Sequence, residues 1–220
     1  EQSFARGRRP DLDTKTTLHN TTIQKALRMM SSEQLSAFDV NQAPAKTRAA
    51  FGDTQFGRGC LAAIQLIGAG VRCVEVTLSG WDTHANNHEA HVTQNAILDP
   101  ALAALIRELR TRKLLDQTIV ICAGEFGRTP KINPADGRDH WPTGFSMALA
   151  GGGFRAGHVH GATAADGAKL DPLDKDSIHV ADIHTTVQHA LGIEYAKELM
   201  TPIGRPMALS DGRVIQTLLK

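Results

Sequence analysis

The sequence predicts an α/β fold built on a mainly parallel sheet, and three observations carry that expectation. Two apolar runs, residues 71–78 (VRCVEVTL) and 118–123 (TIVICA), have the length and β-branched content of buried strands. Between them, Ile97, Leu98, Ala101, Leu102, Leu105, Ile106 and Leu109 recur at helical spacing, while Arg107, Glu108, Arg110 and Arg112 lie off that stripe. Each apolar run also ends in a polar cluster, where open α/β sheets bind their ligands. Strand, helix, strand is a βαβ unit, and its crossover is expected to be parallel and right-handed.

The elements follow in chain order. Residues 16–30 form a helical stripe through Leu18, Ile23, Ala26, Leu27 and Met30, and Ser31-Ser32-Glu33-Gln34 caps a short second helix that Pro44 ends. A connecting stretch through Gly52-Asp53-Thr54 leads to a buried helix from Cys60 to Ala69, stopped by Gly68 and Gly70 before the strand at 71–79. The long helix spans about 91–113, with Asp99-Pro100 as a kink or a fresh start. The second strand covers 118–124 and a third 145–150, before Gly151-Gly152-Gly153. His158-Val159-His160-Gly161 reads as an edge strand, and Val180–Leu191 as a last amphipathic helix introduced by Asp176-Ser177 and closed by Gly192.

Composition sets the outer limits. A chain of 220 residues is long enough to bury a core of its own. Its 24 Lys and Arg against 23 Asp and Glu create no net field, so nothing points to nucleic acid or an anionic membrane. No apolar run reaches the roughly 18–20 residues that span a bilayer. Arg8-Arg9 is followed by Pro-Asp-Leu-Asp rather than an apolar stretch, which removes the twin-arginine reading. Cys60, Cys73 and Cys122 lack paired spacing and sit in apolar patterns, so all three are expected as buried small hydrophobes. There is no GxSxG elbow, phosphate loop, GxGxxG turn or zinc-finger spacing.

The candidate chemistry lies in the two clusters. Asp82 and His84, at i and i+2 after a strand, turn to one side of extended backbone and can share a ligand; the alternative is an Asx-type turn with His84 merely packed. Glu125 follows Ala123-Gly124 at a strand end and needs a cation or a donor, with Arg128 three residues on as an ion-pair partner and metal ligation as the other option. Asp139-His140 matters if the fold carries it to Asp82. Asp, Glu and His without Cys form a donor set for divalent metals. His158 and His160 read as solvent-facing, His88 and His91 as a polar helix start, and His184 and His189 do not share a face.

The motifs FGRGCL (56–61), VRCVEV (71–76), GWDTHANN (80–87), LLDQTIV (114–120), GEFGRTPKIN (124–133), GRDHWP (137–142), FSMALAGGG (145–153) and GATAADG (161–167) resemble a bacterial family catalogued as domain of unknown function 1501, within the alkaline phosphatase/sulfatase-like superfamily. The resemblance covers about residues 50–215. It implies a three-layer α/β/α sandwich with a mainly parallel sheet, residues 1–50 as a helical N-terminal segment or insertion, and 51–220 as the C-terminal part of the domain. The family's early strand, with its Ser-containing nucleophile segment and following Asp, has no counterpart here. This chain is therefore expected to lack the N-terminal strands, and any export signal would lie upstream.

By the same resemblance, Asp82 and His84 look like an Asp…His pair on one metal, Glu125 takes a strand-end ligand position, and His140 with Asp139 completes the shell. Arg128 would clamp an anion. The implied cofactor is a divalent metal (zinc, manganese or calcium), and the implied substrate is a small anionic phosphate or sulfate ester. The other reading is a non-catalytic metal-binding or assembly module of the same fold.

Overall fold

The computed structural model describes residues 18–30, 33–168 and 178–220. Helix α1 is Leu18–Met30, as the apolar stripe predicts, and two 3-10 turns follow at Glu33–Phe38 and Val40–Gln42. The proposed Ser31-Ser32 cap lies outside the described residues. Pro44 stands at the start of a short helix α2, Ala45–Ala50, where its missing N–H costs nothing. Helix α3, Gln55–Gly68, begins five residues earlier than its apolar run because the Thr54 hydroxyl accepts the Gly57 N–H at 3.0 Å.

Helix α4 runs unbroken from Asn87 to Thr111. Pro100 lies within it without ending it, so the kink or restart at Asp99-Pro100 does not appear as a break. Helices α3 and α4 pack together and hold the core. Leu61, Ile64, Ala101, Ala104 and Leu109 are all but inaccessible, joined by Cys60, Ala43 and Phe51, with Val76, Leu114 and Val120 packed around them. Ala43 and Phe51 belong to this same cluster, so the expected boundary at 50–51 runs through one packed core. Gly57 is required there: a Cβ would collide with the backbone carbonyls of Phe51 and Gly52.

The sheet departs from the expectation. Strand β1 is Ile119–Cys122 and strand β4 is Ala148–Gly151, and the two are antiparallel, from Ile119 opposite Gly151 to Cys122 opposite Ala148. Strands β2 (Gly127–Arg128) and β3 (His140–Trp141) form a second antiparallel pair, and β5 (Glu198–Met200) and β6 (Pro206–Ala208) a third that the sequence pattern did not flag. Among the described residues every ladder is antiparallel and two-stranded. Residues 71–79 belong to no strand, and the predicted βαβ crossover therefore has no ladder to join. The reason is that alternation fixes which face is buried, not which backbone pairs. Val74, Val76 and Leu78 are half-buried and Val76 packs on the core, yet among the described residues no neighbouring strand meets this segment's N–H and C=O groups.

Other sequence expectations are also revised. Residues 158–161 are not a strand. Cys60 is fully buried, Cys122 in β1 is half-buried, and Cys73 is exposed because residues 71–79 present one side to solvent. Burial pushes the Cys60 thiol up to about 11, which makes it inert.

Helix α5, Val180–Ala190, matches its predicted span, and Gly192 follows its end with φ +72°. Its N-terminus is held by Asp182, whose carboxylate accepts the His179 N–H at 3.0 Å. The proposed Asp176-Ser177 start lies outside the described residues. The same carboxylate accepts the Arg213 N–H at 2.8 Å, tying the C-terminal segment to the helix.

Candidate metal centre

Two loops build the cluster, and each is braced before any functional side chain is placed. In the first, the buried Thr83 hydroxyl accepts the Asn87 side-chain amide at 2.6 Å, and Trp81 packs edge-on against His91, with ring centroids 5.2 Å apart. This fixes residues 81–84 to the start of α4. In the second, Asn133 Oδ1 accepts the N–H groups of Ala135 and Gly137 at 3.0 and 2.9 Å, closing an Asx-type turn. Arg138 donates to the carbonyls of Thr129 and Pro130 at 2.7 and 2.6 Å, which holds the loop's two arms together.

The loops are then joined to one another. Asn86 and Asn87 donate to the carbonyls of Ala135 and Asp136 at 3.1 and 2.9 Å, and the Arg138 N–H donates to the Thr83 carbonyl at 3.1 Å. Gly137 sits against His84 so tightly that a Cβ would meet the His84 carbonyl. The β2–β3 pairing sets Arg128 directly opposite His140. The Phe126 ring packs on His140 with centroids 4.5 Å apart, and the Arg128 guanidinium lies 5.6 Å from the centre of that ring.

The result brings Asp82, His84 and His140 to one point, although His140 is more than fifty residues away in sequence. His84 Nε2 lies 3.0 Å and His140 Nε2 2.9 Å from Asp82 Oδ1, and the two imidazole nitrogens are 3.2 Å apart. Asp139 takes a different place. Its Oδ1 meets His84 on the far ring nitrogen, Nδ1, at 3.0 Å, and also accepts from the Asn133 amide at 3.2 Å. Glu125 is not brought into the triad; its carboxylate meets Arg128 at 3.3 Å. Arg128, with 13% of its side chain exposed, joins the two halves by donating to Asp82 at 2.5 Å as well. His158 and His160 are neighbours, with ring centroids 6.3 Å apart, and His160 is bonded to Thr217 at 2.9 Å. Among the described residues Asp82, His84 and His140 form the one group of three or more metal-ligand side chains.

The donor chemistry of this group can be worked out from its hydrogen bonds. Hydrogen bonding by His84 first, and then by Asn133, holds the Asp139 carboxyl below the usual carboxylate range. As an ionised acceptor, Asp139 takes a hydrogen bond from His84 Nδ1, and Nε2 is the ring nitrogen that faces Asp82. The Asp82 carboxyl is itself pushed down to about 2, by the hydrogen bond from His140 and then by Arg128. Asp82 Oδ1 thus has His84 Nε2, His140 Nε2 and the Arg128 guanidinium converging on it.

A divalent cation suits such a triad. Ligands about 2.0–2.1 Å from a tetrahedral ion stand about 3.3 Å from one another, close to the three separations seen. Three carboxylates (Asp82, Glu125 and Asp139) are set against one nearby guanidinium, so the local charge also favours a cation.

Asn133 is the functional residue that reading the sequence missed. Its side-chain amide donates to the His84 carbonyl at 3.0 Å and to Asp139, so it positions both halves of the triad. The local signal was Asn133-Pro134-Ala135-Asp136-Gly137, a turn-forming run that gives no hint of its partners.

No curated protein and no solved structure matches this chain. The family described as "Protein of unknown function (DUF1501)" matches residues 1–219, extending beyond the 50–215 span on which the resemblance rests. The chain belongs to the DUF1501 family.

Proposed function

We propose that Asp82, His84 and His140 hold a divalent metal ion, with Asp139 orienting His84, and that the site serves hydrolysis of phosphate or sulfate esters in the manner of the alkaline phosphatase/sulfatase-like superfamily. The observation that carries this reading is the convergence of His84 Nε2 and His140 Nε2 on Asp82 Oδ1, with Asp139 behind His84. Two imidazole ligands favour zinc or manganese over calcium, which prefers a shell of oxygens. When bound, such an ion supplies Lewis acidity that polarises an ester oxygen.

The chain's own side chains do the remaining work. Asp139 keeps the His84 proton on Nδ1, and Asn133 holds that carboxylate in place. Arg128 is engaged with Asp82 and Glu125; its remaining N–H groups are the ones available to a nonbridging oxygen of the substrate. Glu125 keeps the guanidinium beside the cluster when Asp82 turns to a ligand.

A second reading, a non-catalytic binding module, is favoured by the hydroxyls. Thr83 and Thr129, the hydroxyls bonded into the two loops, are both engaged: Thr83 with Asn87, and Thr129 with the Lys131 carbonyl and the Asp139 N–H. Neither is poised as a nucleophile. On the hydrolase reading the nucleophile is a group other than these two hydroxyls.

The experiment is metal titration of purified protein with zinc, manganese and calcium, followed by aryl phosphate and aryl sulfate assays. Stoichiometric zinc or manganese binding that disappears in the Asp82→Ala, His84→Ala double variant is expected. Chelator-sensitive turnover selects the hydrolase. Metal binding with no turnover selects the module. Unchanged binding in the double variant defeats both.

A further inference from the structure

The oxygen at the centre of the cluster is already held by a cation of the chain's own. Arg128 Nη1 donates to Asp82 Oδ1 at 2.5 Å, the same oxygen on which His84 Nε2 and His140 Nε2 converge at 3.0 and 2.9 Å. On the metal reading above, on which this inference rests, that oxygen is a ligand. An ion about 2.0–2.1 Å from it would then stand no more than about 4.6 Å from the guanidinium nitrogen. Two positive groups at that distance repel, and each disfavours the other's presence.

Arg128 is held beside the cluster rather than free to leave it. Its backbone lies in the β2–β3 ladder opposite His140, its Nη2 reaches Glu125 Oε1 at 3.3 Å, and the guanidinium lies 5.6 Å from the centre of the Phe126 ring. Only 13% of its side chain is exposed, against 60%, 49% and 47% for Asp82, His84 and His140. A shielded cation therefore adjoins three side chains that open to water. Glu125 offsets part of its charge, but that contact is long and the carboxylate is exposed, so solvent screens it.

We propose that Arg128 couples the two ligands of this site: it opposes the metal ion when no anion is present, and favours it when a tetrahedral dianion lies between ion and guanidinium. The dianion offers an oxygen to each of the two positive groups, and the planar guanidinium fork is suited to receive it. By linkage, the factor by which the dianion tightens binding of the ion is the factor by which the ion tightens binding of the dianion. Ion and anionic ester then fill the site together, and the ion alone is held weakly. The other role open to Arg128, a brace that presents Asp82 to the ion, has the opposite sign: removing it would weaken metal binding. Because the cluster is open to water, screening limits the repulsion, and the expected effect is about tenfold rather than many orders of magnitude.

The test follows manganese binding through the electron paramagnetic resonance signal of the free ion, in chloride and in sulfate at equal ionic strength. The unaltered protein is expected to bind manganese at least about fivefold more tightly in sulfate. Arg128→Gln, which removes the charge and keeps a polar side chain, should bind manganese about tenfold more tightly than the unaltered protein in chloride. It should also gain less than about twofold from sulfate. Arg128→Lys keeps the charge and should stay within a few-fold of the unaltered protein in chloride; if it binds as tightly as Arg128→Gln, charge is not the cause and the proposal falls. Absence of a sulfate effect in the unaltered protein overturns it without any variant, so a variant that fails to fold does not rescue it. Equal or weaker binding in Arg128→Gln makes Arg128 a brace and overturns it, as does a sulfate gain that survives in Arg128→Gln, since the anion then acts on the ion alone. In each of these results manganese still binds the unaltered protein, and the metal reading stands. If manganese binds neither the unaltered protein nor Arg128→Gln in either salt, the metal reading itself fails and this inference falls with it.

Discussion

The α3–α4 core and the Asp82/His140 cluster are built on opposite physical principles. In the core, Ile64, Leu61 and Leu109 are almost wholly out of water and their positions follow from helical periodicity within each helix. In the cluster, Asp82 and Asp139 keep 60% and 57% of their side-chain surface exposed, and the contacts that bring His140 to Asp82 and His84 join residues from different loops. Apolar burial is additive and tolerant of direction, whereas hydrogen bonds and ion pairs depend on angle and on partner. Stability should therefore reside in the first region and ligand binding in the second, with little exchange between them.

The sharpest way to break this comparison is to alter each region and read both properties. Ile64→Ala, at a position with no accessible surface, should cost about 2–5 kcal/mol by denaturant unfolding and leave metal affinity in the folded fraction unchanged. The Asp82→Ala, His84→Ala double variant should show the reverse: loss of metal binding with an unfolding midpoint close to that of the unaltered protein. A large stability loss there would show that the cluster is structural after all.

Asp139→Asn asks whether the carboxylate behind His84 orients the imidazole. Metal affinity should fall about 10–100-fold by isothermal titration, as expected when a carboxylate behind a metal-binding histidine is removed. Asn133→Ala should act in the same direction, since it removes a donor to Asp139 and the Asx-type turn together.

Asp182 tests a buried polar group that lies outside both regions. Chiefly the Arg213 N–H, and then the His179 N–H, hold its carboxyl below the usual carboxylate range. A carboxyl lowered on folding contributes stability that is complete above its unfolded value of about 3.9 and is lost as the pH falls through the lower folded value. Asp182→Asn should thus flatten the acid limb of the stability curve, and Asp182→Ala should cost about 1–3 kcal/mol at pH 7 by leaving donors unmet. An unchanged acid limb would remove Asp182 from this role.

The smallest effect is expected at Glu125. An exposed ion pair of this kind is worth about 0–1 kcal/mol, so Glu125→Gln should barely move the unfolding midpoint. It should also leave metal affinity within a few-fold, because Glu125 meets Arg128 rather than the triad. A drop as large as that of Asp139→Asn would place Glu125 among the ligands instead.

What the sequence by itself determined was the part governed by local periodicity and termination. The apolar stripes predict α1, α4 and α5 closely, the α3 helix is recognised with its start displaced by the Thr54 cap, and the strands expected at 118–124 and 145–150 are found as β1 and β4. The pairing of Asp82 with His84 in one ligand group was likewise within reach, since i and i+2 in extended backbone share a side. Only the tertiary structure decided that β1 pairs antiparallel with β4, that residues 71–79 stay unpaired, and that Glu125 turns to Arg128 while Asp139 turns to His84. It alone revealed Asn133 as the brace between the loops. The reason is one of range. Periodicity reports which face of a segment avoids water, and that is a property of neighbouring residues. Strand partners and side-chain hydrogen-bond partners depend on atoms brought together from distant parts of the chain, and their directional chemistry leaves no periodic trace in any one segment.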